Sequence, residues 1–326
     1  MPVWIALIAA LLSSEPAGPP ATPPPATVPP PAIQVPAPAT PGSAAANARP
    51  KSVPDISETV DLRPVYQVGD TMKIRWTSDN VDVREGERIA EKQKRSSSHT
   101  ELTFTIKIEQ VFPDRVYRCS ATMDRVVIEA PTMAGIERYD SKEPATAQSV
   151  FASPARILMK KPIEFAISGE TMSFFRKEHP RLRAWYEDGV NLLDNTFGDD
   201  AFPARFGVLF GWRTDSASVG KEWKDSLPIR INSGYSIITD RTFALTGNDG
   251  ITMDISVTGV GKAAPDSAKR GQIFRSSTYD GTYKANTASA KIREGNIVHT
   301  YTADYQWQGA PASVTTTVIE KIERLE

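Results

Sequence analysis

Apolar and polar side chains alternate most regularly in the last third of the chain. From Tyr235 to Leu245 the residues Tyr235, Ile237, Phe243 and Leu245 share one parity, and from Ile251 to Val257 the set is Ile251, Met253, Ile255 and Val257. Alternation with period two buries one face of a strand and wets the other. Short polar breaks separate six such candidate strands between Val219 and Glu326, with almost nothing helical between them, which predicts an antiparallel meander. The strands continue through a break at Ala263-Ala264-Pro265-Asp266, and Tyr279–Tyr283 reads as a short piece centred on Asp280-Gly281. The pattern predicts a hairpin from Ala288 to Trp307 turning at Glu294-Gly295-Asn296, followed by a closing strand from Val314 to Ile322.

The same period opens the folded part. Met72, Ile74 and Trp76 alternate with Lys73 and Arg75 after a Val68-Gly69-Asp70 turn. Leu102, Phe104, Ile106 and Ile108 form a second strand and Tyr117–Met123 a third, after Pro113-Asp114. The apolar parity then shifts to Val126 and Ile128, and one extra residue at Asp124-Arg125 restores the buried face, so a β-bulge is expected there. Between the strands, Arg84–Arg95 carries five positive and three negative side chains and reads as a solvated loop or short exposed helix.

The middle, about residues 145–215, changes character. Ala145–Met159 is helical in flavour and interrupted at Pro154, and Pro162–Phe174 reads as a hairpin around Ser168-Gly169. Leu182, Trp185, Tyr186, Val190 and Leu193 recur at helical spacing after His179-Pro180. An aromatic run follows: Phe197, Phe202, Phe206, Phe210 and Trp212. The expected fold is α+β and predominantly antiparallel β, one large curved or barrel-like sheet with a few helices covering one face. Trp76 and Trp223 belong in its core.

Composition divides the chain before this domain. Of 26 prolines, 13 fall between Pro16 and Pro50 among Ala, Thr, Gly and Ser, a stretch with too little side chain to build a core. Ahead of it, Val3–Leu12 is an uncharged apolar run of signal-peptide length, too short to span a bilayer. The expected organisation is therefore a signal peptide over residues 1–14, a disordered Pro/Ala-rich linker over 15–55, and one β-rich domain over 56–326. Location would be the periplasm or beyond it. The single cysteine, Cys119, lies in a buried-parity strand and not behind the apolar run, so a lipid anchor through cysteine is not expected.

Here a resemblance carries weight. The Tyr66–Asp70 motif (Y-x-V-G-D), the V-G-K-x-W turn at Val219–Trp223 and the Y-D-G-T-Y segment at Tyr279–Tyr283, in this order with the strands between, resemble an uncharacterised family of exported bacterial β-rich proteins. The resemblance covers about Leu62 to Glu326. It implies location and architecture, with no activity, cofactor or site residue to transfer.

The chemistry expected of the residues is thin. A net charge of −1 offers no field for nucleic acid. His99, His179 and His299 stand apart with no zinc-ligand spacing, and His299 alternates with Val298 toward what reads as the wet face. No G-x-S-x-G elbow or phosphate-cradling glycine loop occurs, so no cofactor is expected. The acidic groups Asp199-Asp200 and Asp188, Asp194 are the candidates for acid/base chemistry on a polysaccharide, but the adjacent aspartates before Ala201-Phe202-Pro203 read more simply as the cap of a helix start. No pattern argues for an enzyme. A non-catalytic binding or scaffold module on a flexible stalk is expected, with an envelope protein as partner. The alternative is a carrier of lipid or another hydrophobic ligand, with Phe197, Phe202, Phe206, Phe210 and Trp212 lining or lidding its groove.

Overall fold

The computed structural model describes residues 59–132, 135–176, 196–199, 201–232, 235–263 and 273–325. The apolar N-terminal run, the proline-rich tract, the helix expected over Leu182–Leu193, and His179, Asp188, Asp194 and Asp200 lie outside these residues.

Strands β1 (Val60–Asp61) and β8 (Ser216–Ala217) form a small two-stranded ladder. Every other strand among the described residues joins one 12-stranded sheet. The N-terminal arm comprises β2 (Thr71–Glu85), β3 (Arg95–Phe112), β4 (Val116–Thr132), β5 (Gly135–Asp140), β6 (Ile163–Ser168) and β7 (Phe174–Arg176). The C-terminal arm is the meander β9 (Glu222–Asn232), β10 (Tyr235–Asn248), β11 (Thr252–Ala263), β12 (Ile273–Asn286), β13 (Ile292–Trp307) and β14 (Ala310–Arg324). Their order is β7-β6-β4-β3-β2-β14-β13-β12-β11-β10-β9, with β5 on the side of β4. The sheet is open, with β7 and β9 as its ends, so the barrel-like version of the expectation does not hold. The antiparallel β-rich architecture does.

The arms meet where the first long strand pairs with the last, Trp76 opposite Ile322 and Asp82 opposite Thr316. That pairing follows from pattern: β2 buries Met72, Ile74 and Trp76 and exposes Lys73 and Arg75, and its buried face must continue into a sheet that shares it. The expected bulge is present, since Thr103 opposes Arg125 while Phe104 opposes Met123, leaving Asp124 as the extra residue. The hairpin of β6 and β7 also forms as expected.

Three expectations are corrected. Glu294-Gly295-Asn296 is not a turn, because it lies inside β13, which runs unbroken from Ile292 to Trp307 between β12 and β14. Gly295 is there for space: a Cβ on it would stand 2.7 Å from the Tyr283 ring opposite. The real turns fall at Thr287–Lys291 and at Gln308-Gly309, the latter a two-residue connection with positive φ at both positions. Secondly, Pro154 does not interrupt a helix. It sits in the first turn of α1 (Ala152–Lys160), where its missing N–H costs no intrahelical bond. Thirdly, Tyr279–Tyr283 is no short piece but the middle of the 14-residue β12.

A second helix, α2 (Ala201–Phe206), and the single 3-10 turn Gly207–Leu209 that follows it lie against one face of the sheet, here called the inner face. Trp76, at 4 % exposed, and Trp223, at 8 %, are both core residues of that face.

Candidate functional site

Cross-strand pairing arranges the inner face in rows. One row reads Leu245, Ile255, Tyr283, Gly295, Ile322, Trp76 and Leu102 from β10 to β3, and is almost wholly apolar. Four residues further along each strand the character has reversed. The row there begins at Asp225 on β9 and continues through Arg241, Gly259, Tyr279, His299, Val318, Asn80 and Ser98. Beyond it lies Ser277, Tyr301, Thr316, Asp82 and Ser96. The strands thus carry a single face from hydrocarbon to hydroxyl and charge.

The apolar end is filled from within the chain. Phe197, Phe202, Phe206 and Phe210 are 0 % exposed and Trp212 is 3 %. Phe206 packs on Trp76 and Phe104, its ring centroid 6.0 and 5.4 Å from theirs. Phe202 meets Phe165 at 4.8 Å and Phe174 at 4.7 Å, and Phe210 meets Tyr66 and Tyr117 at 6.0 Å each. On the other arm, Trp212 lies edge-on to Trp223, Phe243 and Tyr283 at 6.2, 6.0 and 5.4 Å. The segment therefore touches both arms of the sheet. Rings of this size each bury about 150–250 Å² and gain further from edge-to-face contacts. Its backbone is held as closely: a Cβ on Gly211 would stand 1.9 Å from the Gly169 carbonyl oxygen, so only two glycines allow this approach. The Tyr66 hydroxyl donates to the Leu209 carbonyl at 2.7 Å.

The polar row is built of directed pairs. Arg241, 2 % exposed, donates through Nε and Nη2 to both carboxylate oxygens of Asp225 at 2.8 and 2.7 Å, and through Nη1 to the Ala204 carbonyl of α2 at 3.2 Å. Its guanidinium lies over the rings of Phe243 and Tyr279, 5.2 and 5.5 Å from their centroids. Gly259 leaves it room, since a Cβ there would press on the Arg241 side chain at 3.3 Å. Burial works against the Arg241 charge, but Tyr279 and the Asp225 carboxylate outweigh it and hold the pKa above its ordinary value. At the border between the ends, Arg205 of α2 donates to Glu320 at 2.6 Å while lying over the Trp76 ring at 5.4 Å.

His299 sits between Tyr279 and Tyr301, each ring 5.7 Å away, and its Nε2 shares a hydrogen bond with the Ser277 hydroxyl at 2.8 Å. It is 6 % exposed, so its expected place on the wet face is wrong. His299 shares the parity of Tyr301, Ala303 and Tyr305, and that parity is the covered one; Val298 faces outward. Burial, with Arg205 nearby, pushes the imidazole down to about 4. At neutral pH it is uncharged, and Nε2 and the Ser277 hydroxyl share one proton between them in that bond. The pairing resembles a nucleophile and its base, but both residues are covered, and among the described residues no carboxylate orients the other ring nitrogen.

The remaining sequence candidates do not converge. Cys119 is buried and its thiol is pushed up to about 12 by burial, which makes it a core side chain. His99 pairs with Asp79 at 2.7 Å on the outer face. Asp199 is exposed ahead of α2. Among the described residues no group of three or more His, Cys, Asp or Glu is placed to hold a metal ion. Among the same residues no helix is long and apolar enough to cross a membrane. Sequence reasoning missed Arg241, Asp225, Ser277 and Glu320. The available signal was Arg241 on the same parity as Phe243 and Leu245, a charge placed where the strand pattern asks for hydrocarbon.

No protein-family model matches the chain, and no curated protein does. Among solved structures, lipovitellin, described for its lipid–protein interactions, aligns at TM-score 0.47 and 10% identity over 80% of this chain. The chain spans about a quarter of that protein, 26% of its length. An outer membrane channel from Pseudomonas putida F1 aligns at TM-score 0.22 and 7% identity, covering 80% of this chain and 97% of the channel. The outer membrane protein OprG from Pseudomonas aeruginosa aligns at 0.19 and 7%, covering 80% and 98%. None of these likenesses carries an argument about function.

Proposed function

We propose that the chain is a non-catalytic binding or scaffold module of the cell envelope, exported through its apolar N-terminal run and tethered by the proline-rich tract. The observation that carries this reading is the filled interior. Phe197, Phe202, Phe206, Phe210 and Trp212 are buried against both arms of the sheet, so the segment that would have lidded a groove occupies it. The surfaces left to meet a partner are the outer face and the edges. On the outer face the neighbours Val298 and Ile319 are 43 % and 47 % exposed. A photo-crosslinking side chain at either position, in cells, is expected to capture an envelope macromolecule. Crosslinks from neither would count against the reading.

A second reading, a carrier of a lipid or other hydrophobic ligand, is favoured by the order of the inner face. It runs from apolar rows to hydroxyl rows, as an amphiphile does, and the buried hydroxyls of Thr239 and Tyr305 have no hydrogen-bond partner among the described residues. Protein purified from its native envelope, extracted with organic solvent and analysed by mass spectrometry, separates the two. The scaffold reading expects no amphiphile; a recovered lipid would replace it with the carrier.

A further inference from the structure

At the β5 edge of the sheet, the chain leaves β5 through a tight turn and returns as α1, bordering a cavity of about 420 Å³ that opens to solvent. Small-molecule sites commonly measure about 300–1,000 Å³. Its apolar lining is Tyr139, 4 % exposed, the partly buried Met159 and the exposed Pro144. The exposed Lys142, Arg156 and Lys160 line its rim, with the carboxylates of Glu143, exposed, and Asp140, buried, beside them.

Those carboxylates are already engaged from outside the cavity. Asp140 accepts from Arg125 at 2.6 Å and Arg138 at 3.4 Å, and its other oxygen also accepts the Lys142 backbone N–H at 3.0 Å. The Arg125 hydrogen bond holds its pKa below the ordinary value, against burial. Glu143 pairs with Arg138 at 2.6 Å. Arg156 is fixed across the mouth by donation to the Ala147 carbonyl at 2.9 Å, a contact that leaves its charge uncompensated. Lys142, Arg156 and Lys160 take part in none of the ion pairs among the described residues. Lys160 at the end of α1 also favours the helix dipole, which accounts for one of the three cations and neither of the others.

We propose that this cavity binds a phosphate monoester bearing a small apolar or ring portion, the phosphate meeting Lys142, Arg156 and Lys160 and the apolar part lying on Tyr139 and Met159. A monoester carries about −1.5 to −2 charge at neutral pH, which matches a rim of three cations whose carboxylates are neutralised elsewhere. Guanidinium and ammonium groups are its usual partners.

The proposal is tested by titrating the full chain with phenyl phosphate, and with phenol as the uncharged control, by calorimetry. The expected result is one-to-one binding of phenyl phosphate, at least tenfold weaker phenol binding, and at least a tenfold loss in K142Q/K160Q. The paired control K221Q/K224Q, at the opposite end of the sheet, is expected to bind as the wild type does. Thermal midpoints for both doubles should lie close to the parent's, because the substituted lysines are exposed and Lys160 loses only its contact with the helix dipole. Two competitors then separate the source of the monoester: soluble glycerol phosphate, or vesicles of phosphatidylcholine containing phosphatidic acid. Displacement by either supports the site and names its source. Equal affinity for phenol, or unchanged binding in K142Q/K160Q, would overturn it.

Discussion

The two ends of the inner face are held by different physics. Around Phe202 and Phe206 the contacts are ring against ring, and what matters is volume. Around Arg241 and His299 they are donor against acceptor, and what matters is the partner. At the apolar end a smaller side chain leaves a cavity. At the polar end a lost partner strands a charge or a hydroxyl without water. One continuous sheet supports both because cross-strand rows fix the order of the face residue by residue, and a slip of one residue would exchange inner and outer sets.

The largest effects should expose this contrast. Phe202→Ala is expected to destabilise by about 3–5 kcal/mol in urea denaturation, with Phe202→Leu milder because more volume is kept. Asp225→Ala should cost a similar amount, about 3–5 kcal/mol, by leaving Arg241 buried and unpaired. Replacing both members, with Asp225→Leu and Arg241→Met, should recover much of the loss. If the double variant is as unstable as Asp225→Ala, the polar end is no longer a matter of partners.

Next comes acid. His299 has a folded-state pKa of about 4 against 6.5 for the free side chain, so folding favours its neutral form. Its contribution is fully present above pH 6.5 and is lost as pH falls toward 4, amounting to about 3.5 kcal/mol at about 1.4 kcal/mol per unit. Stability measured over that window should fall more steeply in the parent than in His299→Gln. Parallel curves would remove His299 from the covered row.

Smaller again is Arg205→Gln, which loses the donor to Glu320 and the stacking on Trp76; about 1.5–3 kcal/mol is expected for a charge-assisted bond in a partly covered place. Smallest is Lys262→Gln. Its pair with Asp240 spans two exposed side chains and should be worth about 1 kcal/mol or less.

Legibility in the sequence followed the same division. Strands β2, β3 and β4, and even the bulge at Asp124, were readable because their apolar residues alternate over long runs. The meander was readable too, though Gly295 misled: a glycine beside Glu294 and Asn296 has the composition of a turn, and only the Tyr283 ring across the strand pair explains it. The polar row was hidden for the same reason. Parity says which residues share a face, but it does not say that Asp225 lies opposite Arg241, or Ser277 beside His299, until the register is known. The aromatic run was found as a group, while its contact with both arms depends on the sheet order, which pairs the first long strand with the last.

The central claim is that the aromatic segment belongs to the same cooperative interior as the sheet. Native-state hydrogen exchange of the full chain tests it most directly, by comparing the amides of Phe202, Phe206 and Phe210 with those of β2 and β14. The account predicts that both sets exchange only through global unfolding, with the same free energy and the same denaturant dependence. Exchange of the aromatic segment at a clearly lower free energy, while the ladder of β2 and β14 stays protected, would make it a lid that opens and contradict the account.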